Sequence, residues 1–376
     1  MSKKKICFIA QFPPPMHGLS KAVDTLYNSE LNGEPFEFEK VDITNNMKFI
    51  SNLIKIAKSK ADLFYFTISQ TKAGNIRDLV VLKLLELQHK SCLIHLHGGY
   101  YRTLVDGKMK SWQKEANYKA ISKIDGVIVL GPSLKWIFEG MIPSDKIYTV
   151  PNCVDDDFLL SDEEFSEKIK IVEEEEVHHV LWLSNFIRSK GYPVVLEMAK
   201  LEKERVDSGE KKRFHFDFAG KFFEDSEKEF FENYIKDNML DGYVTYHGIV
   251  LGKEKKNLLK ECSFFALPTK YPNEGQPISI LEAMGQGMVI ITTDHAGISD
   301  IVKNDINGKV VCADLPRKKI SDCMYKYCLG IEKNMLNICK KNIYTVKNFY
   351  TETLYIENMQ NTIQDILKGK ENLNEG

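Results

Sequence analysis

One stretch constrains the fold of this 376-residue chain more than any other: Cys262 to Thr293, CSFFALPTKYPNEGQPISILEAMGQGMVIITT. Ser263 to Pro268 is an apolar run of strand length. Lys270 to Gln276 is turn-rich, with Pro272, Asn273 and Gly275. Pro277 stands where a first helical residue would. Ile278 and Leu281 supply an i, i+3 apolar face, and Gly285 and Gly287 mark the helix end. Met288 to Thr293 reads as a second buried strand. Two buried strands joined through a helix are too far apart in the chain to form a tight hairpin, so they predict a parallel pair in an α/β sheet.

Two carboxylates frame the predicted helix, Glu274 just before it and Glu282 inside it, eight positions on. The helical part of that interval spans roughly 9 Å at ~1.5 Å per residue, about the reach between the two ends of a nucleotide-sugar. The helix start between them offers backbone N–H groups and a positive dipole end that suit a phosphate. The bare spacing fits equally a loop glutamate and a solvated helix glutamate in a Glu-rich chain. Glu274-Gly275-x-Pro277, then Leu281-Glu282-Ala283-Met284, then Gly287-x-Val289, together resemble the E-x7-E signature of retaining glycosyltransferases of family 4. The resemblance implies the α/β GT-B fold, two Rossmann-like domains facing a central cleft, with a C-terminal helix crossing back to the first domain. It also implies that Glu274 meets the transferred sugar and that Glu282 holds the nucleotide ribose. Gly275, Gln276, Pro277 and Ile278, which open the helix, are donor-binding candidates.

The bulk numbers fit that architecture. The chain is long enough for two domains. A hydrophobic content of 43%, a charged content of 28% and a net charge of −2 describe a globular protein and argue against a dedicated nucleic-acid binder. The eight cysteines form no C-x-x-C pair, as expected for free thiols in a reducing compartment. No apolar run approaches the ~18 residues of a membrane helix. Lys3-Lys4-Lys5 and the short run after it open a first strand rather than a signal peptide. A cytoplasmic protein, at most peripheral to the inner face of a membrane, is therefore expected.

Ile6 to Phe12 reads as a strand, Pro13 to Gly18 as a loop and Leu19 to Tyr27 as a helix. Gly18 thus stands near a helix start, a natural phosphate seat. Family 4 often has a Gly pair here, and His17-Gly18 matches only the second. Ala61 to Ile68 is strand-like, and Asn75 to His89 is helical, with Ile76, Leu79, Val80, Leu84 and Leu87 recurring. Cys92 to His97 is the next strand and ends in His95-Leu96-His97-Gly98-Gly99. Ligands gather at the carboxyl ends of parallel strands. His95 and His97 point to one face, but no third ligand is nearby and no metal is expected. The resemblance puts His97 on the donor sugar and, with Glu274 and Lys190, among the catalytic candidates. Ser69, Thr71 and Arg77 (beside Asp78) and Tyr100 are acceptor-side candidates.

Gly126 to Gly131 and Lys146 to Val150 are further strands. Pro151-Asn152-Cys153-Val154-Asp155 resembles the family's interdomain motif, with Cys153 where Gly is usual. Asp155-Asp156-Asp157 reads as a solvated turn rather than a metal-diphosphate motif. The expected divisions are 1–157, an acidic linker 158–176, a second domain 177–345, and 346–376, whose helix over Thr351 to Leu367 precedes a frayed polar tail. Val180 to Leu183 opens the second domain. Ser184 to Gly191 resembles the family loop whose Arg and Lys hold the donor diphosphate: Lys190-Gly191 match, Asn185 stands in place of the Arg, and Arg188 is a displaced candidate. Phe214 to Gly220 and Val244 to Gly248 are strands, with His215 and His247 as strand fillers.

The reading is a retaining glycosyltransferase that moves a sugar from a nucleoside-diphosphate sugar, UDP favoured, to a glycan or lipid-linked acceptor in surface polysaccharide synthesis, such as capsule or O-antigen. It needs no metal or other cofactor and no nucleic acid. Tyr100, Tyr101, Arg102, Lys108, Lys110, Trp112 and Lys114 are basic and aromatic enough for membrane contact, but a solvated helix is the favoured reading of them. Two rivals are a sugar-nucleotide epimerase of GT-B fold and a non-catalytic nucleotide-sugar-binding subunit, the latter suggested by Asn185.

Overall fold

A computed structural model describes residues 3–14 and 18–374, with side chains as far as 369. The chain divides into two compact units. The first comprises residues up to Cys153, the tetrapeptide Asn273–Gln276 and residues from Glu352 onward; the second comprises Val154–Pro272 and Pro277–Thr351.

Strands of the first unit form where short β-branched or aromatic runs are buried on both faces, as in LFYFT, CLIH and GVIV. In chain order the first unit carries β1 (Lys4–Ala10), α1 (Gly18–Tyr27), β2 (Phe36–Asp42), α2 (Phe49–Lys58), β3 (Leu63–Thr67), α3 (Lys72–Leu87) and β4 (Cys92–His95), then α4 (Tyr101–Lys108), α5 (Ser111–Ile121), β5 (Gly126–Val129) and β6 (Ile147–Thr149). The sheet order is β2-β1-β3-β4-β5-β6, with parallel pairing throughout. The chain turns back at β1, so the topological switch lies between β1 and β3.

The apolar pattern of α3 misleads. Its buried residues are Asn75, Asp78, Val81, Leu82 and Leu85, whereas Ile76, Val80 and Leu87 are 49%, 42% and 66% exposed. The helix has two apolar faces. The one turned inward also carries polar groups that find partners: Asn75 Nδ2 donates to Asn117 Oδ1 at 2.7 Å, and Asp78 accepts from Ser69 N at 2.6 Å. Tyr101, read as part of a solvated helix with membrane contact as the alternative, is instead buried, and its hydroxyl donates to Asn117.

The second unit carries α6 (Asp162–Glu174), β7 (His178–Leu183), α7 (Tyr192–Asp207), β8 (Phe214–Ala219), α8 (Asp225–Asp237), β9 (Val244–Tyr246), α9 (Gly252–Glu261) and β10 (Phe264–Leu267), then α10 (Ile278–Gly285), β11 (Val289–Thr293), α11 (Ile298–Ile301), β12 (Gly308–Val311), α12 (Arg317–Gly330) and α13 (Glu332–Phe349). Its sheet order is β12-β11-β10-β7-β8-β9, and its switch lies between β7 and β10. The stretch expected as an acidic linker is instead a helix of this unit. Ser161 and Glu164 close a capping box at its start, and Lys168 is fully buried, its Nζ donating to the carbonyls of Lys260 and Cys262.

The final helix, α14 (Glu352–Asn374), is longer than expected and runs on through residues read as a frayed tail. Tyr355, Met359, Ile363 and Ile366 join the first unit's core with Phe8, Val23 and Leu26, and Tyr355 Oη donates to Ala22 O at 3.2 Å. Residues 346–349, expected with this helix, end α13. Among the described residues no helix is long and apolar enough to cross a membrane.

Candidate functional site

In open parallel sheets the carboxyl ends beside a switch point form the ligand crevice. In the second unit those ends are β7 and β10, and glycines let the following loops close on one another. Gly191 has φ +88°, and a Cβ there would stand 2.2 Å from the Pro268 carbonyl oxygen, so only glycine fits. Lys270 N donates to Ser189 O at 2.6 Å, and Trp182 Nε1 donates to Lys190 O at 3.2 Å. These contacts set Lys190 beside the β10 loop, its Nζ 4.5 Å from the Tyr271 ring centroid. The Tyr271 carbonyl is bonded to His295 Nε2 at 2.7 Å.

Arg188 is directed elsewhere. Its Nε meets Glu227 at 3.2 Å and its guanidinium lies 4.1 Å from the Phe230 ring centroid, both on α8. Asn185, in the place of the usual Arg, is exposed in a tight turn whose carbonyl accepts from Ile187 N.

Glu282 lies on α10 and is 1% exposed. Lys255 from α9 pairs with its carboxylate at 2.5 Å, and the same Nζ stands 5.1 Å from the Phe158 ring centroid. Lys255 thus orients the buried carboxylate. Lys255 escaped the sequence reading because it sits in the lysine-rich run GKEKKNLLKE, where a functional lysine is indistinguishable from solvated ones. Pro277 is the cap of α10 rather than its first residue, and no side chain caps the helix among the described residues, so its first N–H groups are left to other acceptors. Ile278, half-buried, is the first helical residue.

The tetrapeptide bearing Glu274 belongs to the first unit, which the sequence did not foretell. A Cβ on Gly275 would stand 2.6 Å from His97 O and 2.9 Å from Gly98 Cα; one on Gly98 would meet Asn273 O at 2.7 Å and Gln70 Nε2 at 1.9 Å. Backbone therefore lies directly on backbone, and the buried Glu274 is brought beside the end of β4 where His97 stands. Gln276, expected on the donor, clamps this loop instead. Its Oε1 accepts from Asn152 N at 2.8 Å, its Nε2 donates to Leu130 O at 3.2 Å, and its carbonyl accepts from Asn152 Nδ2 at 2.8 Å. His95 supports His97 from below, with ring centroids 3.9 Å apart and Nδ1 bonded to Tyr65 Oη at 2.8 Å. Burial, and then the neighbouring His97, hold the His95 pKa well below the usual range, so it is the neutral ring.

The acceptor-side candidates gather at the first unit's switch point. A cavity of about 420 Å³ is lined by Gln11, Asn46, Ser69, Thr71, Gly74 and Arg77, among others. Thr71 Oγ1 caps α3 by accepting from Gly74 N at 3.1 Å, and Ser69 Oγ lies 3.0 Å from it. Arg77 lies 2.8 Å from Asp78, whose pKa burial raises against the pull of that arginine. Tyr100 lies instead at the start of α4, its N–H donating to Gln70 Oε1 at 2.6 Å. Gly18 opens α1; His17 lies outside the described residues.

One further cluster is a hydrogen-bond network rather than part of these ends. His179, Asp217 and Cys262 each bring an atom within 4.8 Å of the others. Both Asp217 oxygens are already bonded, to His179 Nδ1 at 2.6 Å and His247 Nε2 at 2.7 Å, and the buried Lys168 ammonium donates to the Cys262 carbonyl. His247, read as a strand filler, is thus half of a two-histidine clamp on a buried carboxylate.

Comparisons with known proteins bear on both units. Residues 161–320 match the family model described as Glycosyl transferases group 1. The amylovoran biosynthesis glycosyltransferase AmsK of Erwinia amylovora is 24% identical over 133 residues, which cover 34% of this chain and 31% of the relative; the match thus spans about a third of that protein's length. Anabaena Alr3699/HepE, solved in complex with UDP, superposes with a TM-score of 0.74 at 12% identity, over 96% of this chain and 100% of that one. Sucrose-phosphate synthase from Thermosynechococcus elongatus gives 0.72 at 11% identity, over 98% and 100%. At such identities the likeness is one of fold, and the two six-stranded parallel sheets with their helices are those of GT-B.

Proposed function

We propose that this chain is a retaining glycosyltransferase using a UDP-sugar. The observation that carries the reading is the conjunction, at the second unit's switch point, of the Lys190-Gly191 loop, the uncapped start of α10 and the Glu282–Lys255 pair, in a span that matches group 1 glycosyltransferases. Glu282 accepts from the ribose hydroxyls, and Lys255 holds its carboxylate in place. Lys190 and the N–H groups at the start of α10 take the negative charge that builds on the diphosphate as it leaves, fixed donors being the larger part of such catalysis. Glu274 acts at the transferred sugar, with His97 beside it. The solved complexes of the structural neighbour HepE contain UDP and UDP-glucose, which favours UDP as carrier. The polar cavity with Ser69, Thr71 and Arg77 suits the hydroxyls of a glycan or lipid-linked glycan acceptor, and the likeness to AmsK favours polysaccharide synthesis.

The test is a calorimetric titration with UDP, GDP and ADP, followed by turnover of the preferred sugar nucleotide with the product anomer read by NMR. UDP binding and retention at the anomeric carbon are expected. With the leaving charge met by Lys190, turnover should persist in EDTA. Inversion, or isomerisation of the sugar nucleotide without acceptor, would overturn the reading.

A further inference from the structure

The outer face formed by α2, α3 and α5 is apolar where a surface should be polar. Ile50 and Ile54 on α2 are 67% and 50% exposed; Ile76, Val80 and Leu87 on α3 and Trp112 on α5 add to them. Together with Leu53 and Leu84 they line an open groove of about 740 Å³. Apolar patches this continuous mark an interaction site. The groove offers almost no hydrogen-bonding groups, whereas a specific protein interface carries about one hydrogen bond per 100–200 Å².

The rim decides the occupant. Lys48, Lys55, Lys58 and Lys60 flank α2 with no acidic residue between Asn46 and Lys60. Lys108, Lys110, Lys119 and Lys123 surround α5 against Glu115, while Lys114 is paired with Asp106 at 3.0 Å. Nearly all are exposed, and the chain as a whole carries −2, so the positive charge is concentrated on this face. Apolar side chains with a tryptophan, ringed by long cationic ones, match the boundary between acyl chains and anionic headgroups.

We infer that α2, α3 and α5 form a docking face for an anionic lipid surface. It keeps Lys108, Lys110 and Trp112 of the segment Tyr100 to Lys114 and leaves out Tyr101, which is buried, and Arg102 and Lys114, which pair with Asp106. It rests on a different surface from the proposed UDP site.

The full chain is sedimented with vesicles of phosphatidylcholine alone and of equal parts phosphatidylcholine and phosphatidylglycerol. Binding to the anionic vesicles should exceed binding to the neutral ones by about tenfold or more and weaken with salt. Ile54→Asp/Leu87→Asp and Lys55→Glu/Lys58→Glu should each lower it by about tenfold or more. Both pairs are exposed, and unchanged thermal unfolding and UDP titration would show that the fold is intact. Equal sedimentation of parent and variants, equal binding to both vesicles, or a dimer in light scattering that Ile54→Asp/Leu87→Asp dissociates would each overturn the inference. The last result would make a second copy the occupant.

Discussion

Replacing Glu282 by alanine separates two effects. The Glu282 carboxylate is 2% exposed and its partner Lys255 is 21% exposed, 2.5 Å away. Breaking a fully buried pair on one side costs ~3–5 kcal/mol. Lys255 can turn partly to water, so a stability loss of about 1–3 kcal/mol is expected. The second loss is on the ligand: charged hydrogen bonds of ~1.5–3 kcal/mol to the ribose correspond to roughly 10- to 100-fold in Kd. The ribose is common to UMP and UDP, so Glu282→Ala should weaken both by the same factor in calorimetry. Lys190→Ala, which removes a diphosphate contact, should weaken UDP more than UMP. Lys255→Met should lower stability but cost less UDP affinity than Glu282→Ala, because the carboxylate remains. A folded Glu282→Ala protein that binds UMP as the parent does would refute the ribose assignment.

Gly275→Ala puts a methyl 2.6 Å from a backbone oxygen that cannot yield easily. Steady-state kinetics should show kcat reduced by about 100-fold as the Glu274 loop is displaced, while calorimetry shows UDP affinity, a property of the second unit, little changed. Arg188→Ala should change UDP affinity by less than about threefold, since the half-exposed pair with Glu227 is worth ~0–1 kcal/mol; a tenfold loss would put Arg188 on the diphosphate. For Asp217, burial raises the carboxyl pKa, but the bonds from His179 and His247 outweigh it and hold the value at about 2, below 3.8. A depressed acid stabilises the fold above its unfolded pKa and loses that contribution as pH falls through its folded one. Asp217→Asn should therefore cost about 2 kcal/mol in urea unfolding at pH 6, the gap to the parent closing between pH 4 and 2; a constant gap would exclude this origin.

The parallel sheets were legible because doubly buried strands such as GVIV and VIITT are short, continuous and bounded by turn residues. Lys190-Gly191 and Glu282 were singled out by the family resemblance and not by spacing alone, since a glutamate on a short helix in a Glu-rich chain is by pattern as much a solvated residue as a ligand. What failed was non-local. Nothing in Asn273–Gln276 says that Gly275 will lie on Gly98, because the fit depends on two glycines far apart in the chain. The inward face of α3 depended on Asn117 and Ser69, which supply partners for Asn75 and Asp78. The acidic run was read as a linker although Ser161 and Glu164 have the spacing of a capping box.

The position of α14 has a consequence for biosynthesis. Tyr355, Met359, Ile363 and Ile366 complete the core of the first unit, yet they are translated after the whole of the second. Chains usually acquire structure from the amino end as they leave the ribosome. Here the half made first must wait, with an apolar surface uncovered, until the last stretch emerges, and the half made later is the first that can finish. A released chain truncated after Thr351 should therefore hold a protease-resistant second unit beside a first unit still open to cleavage.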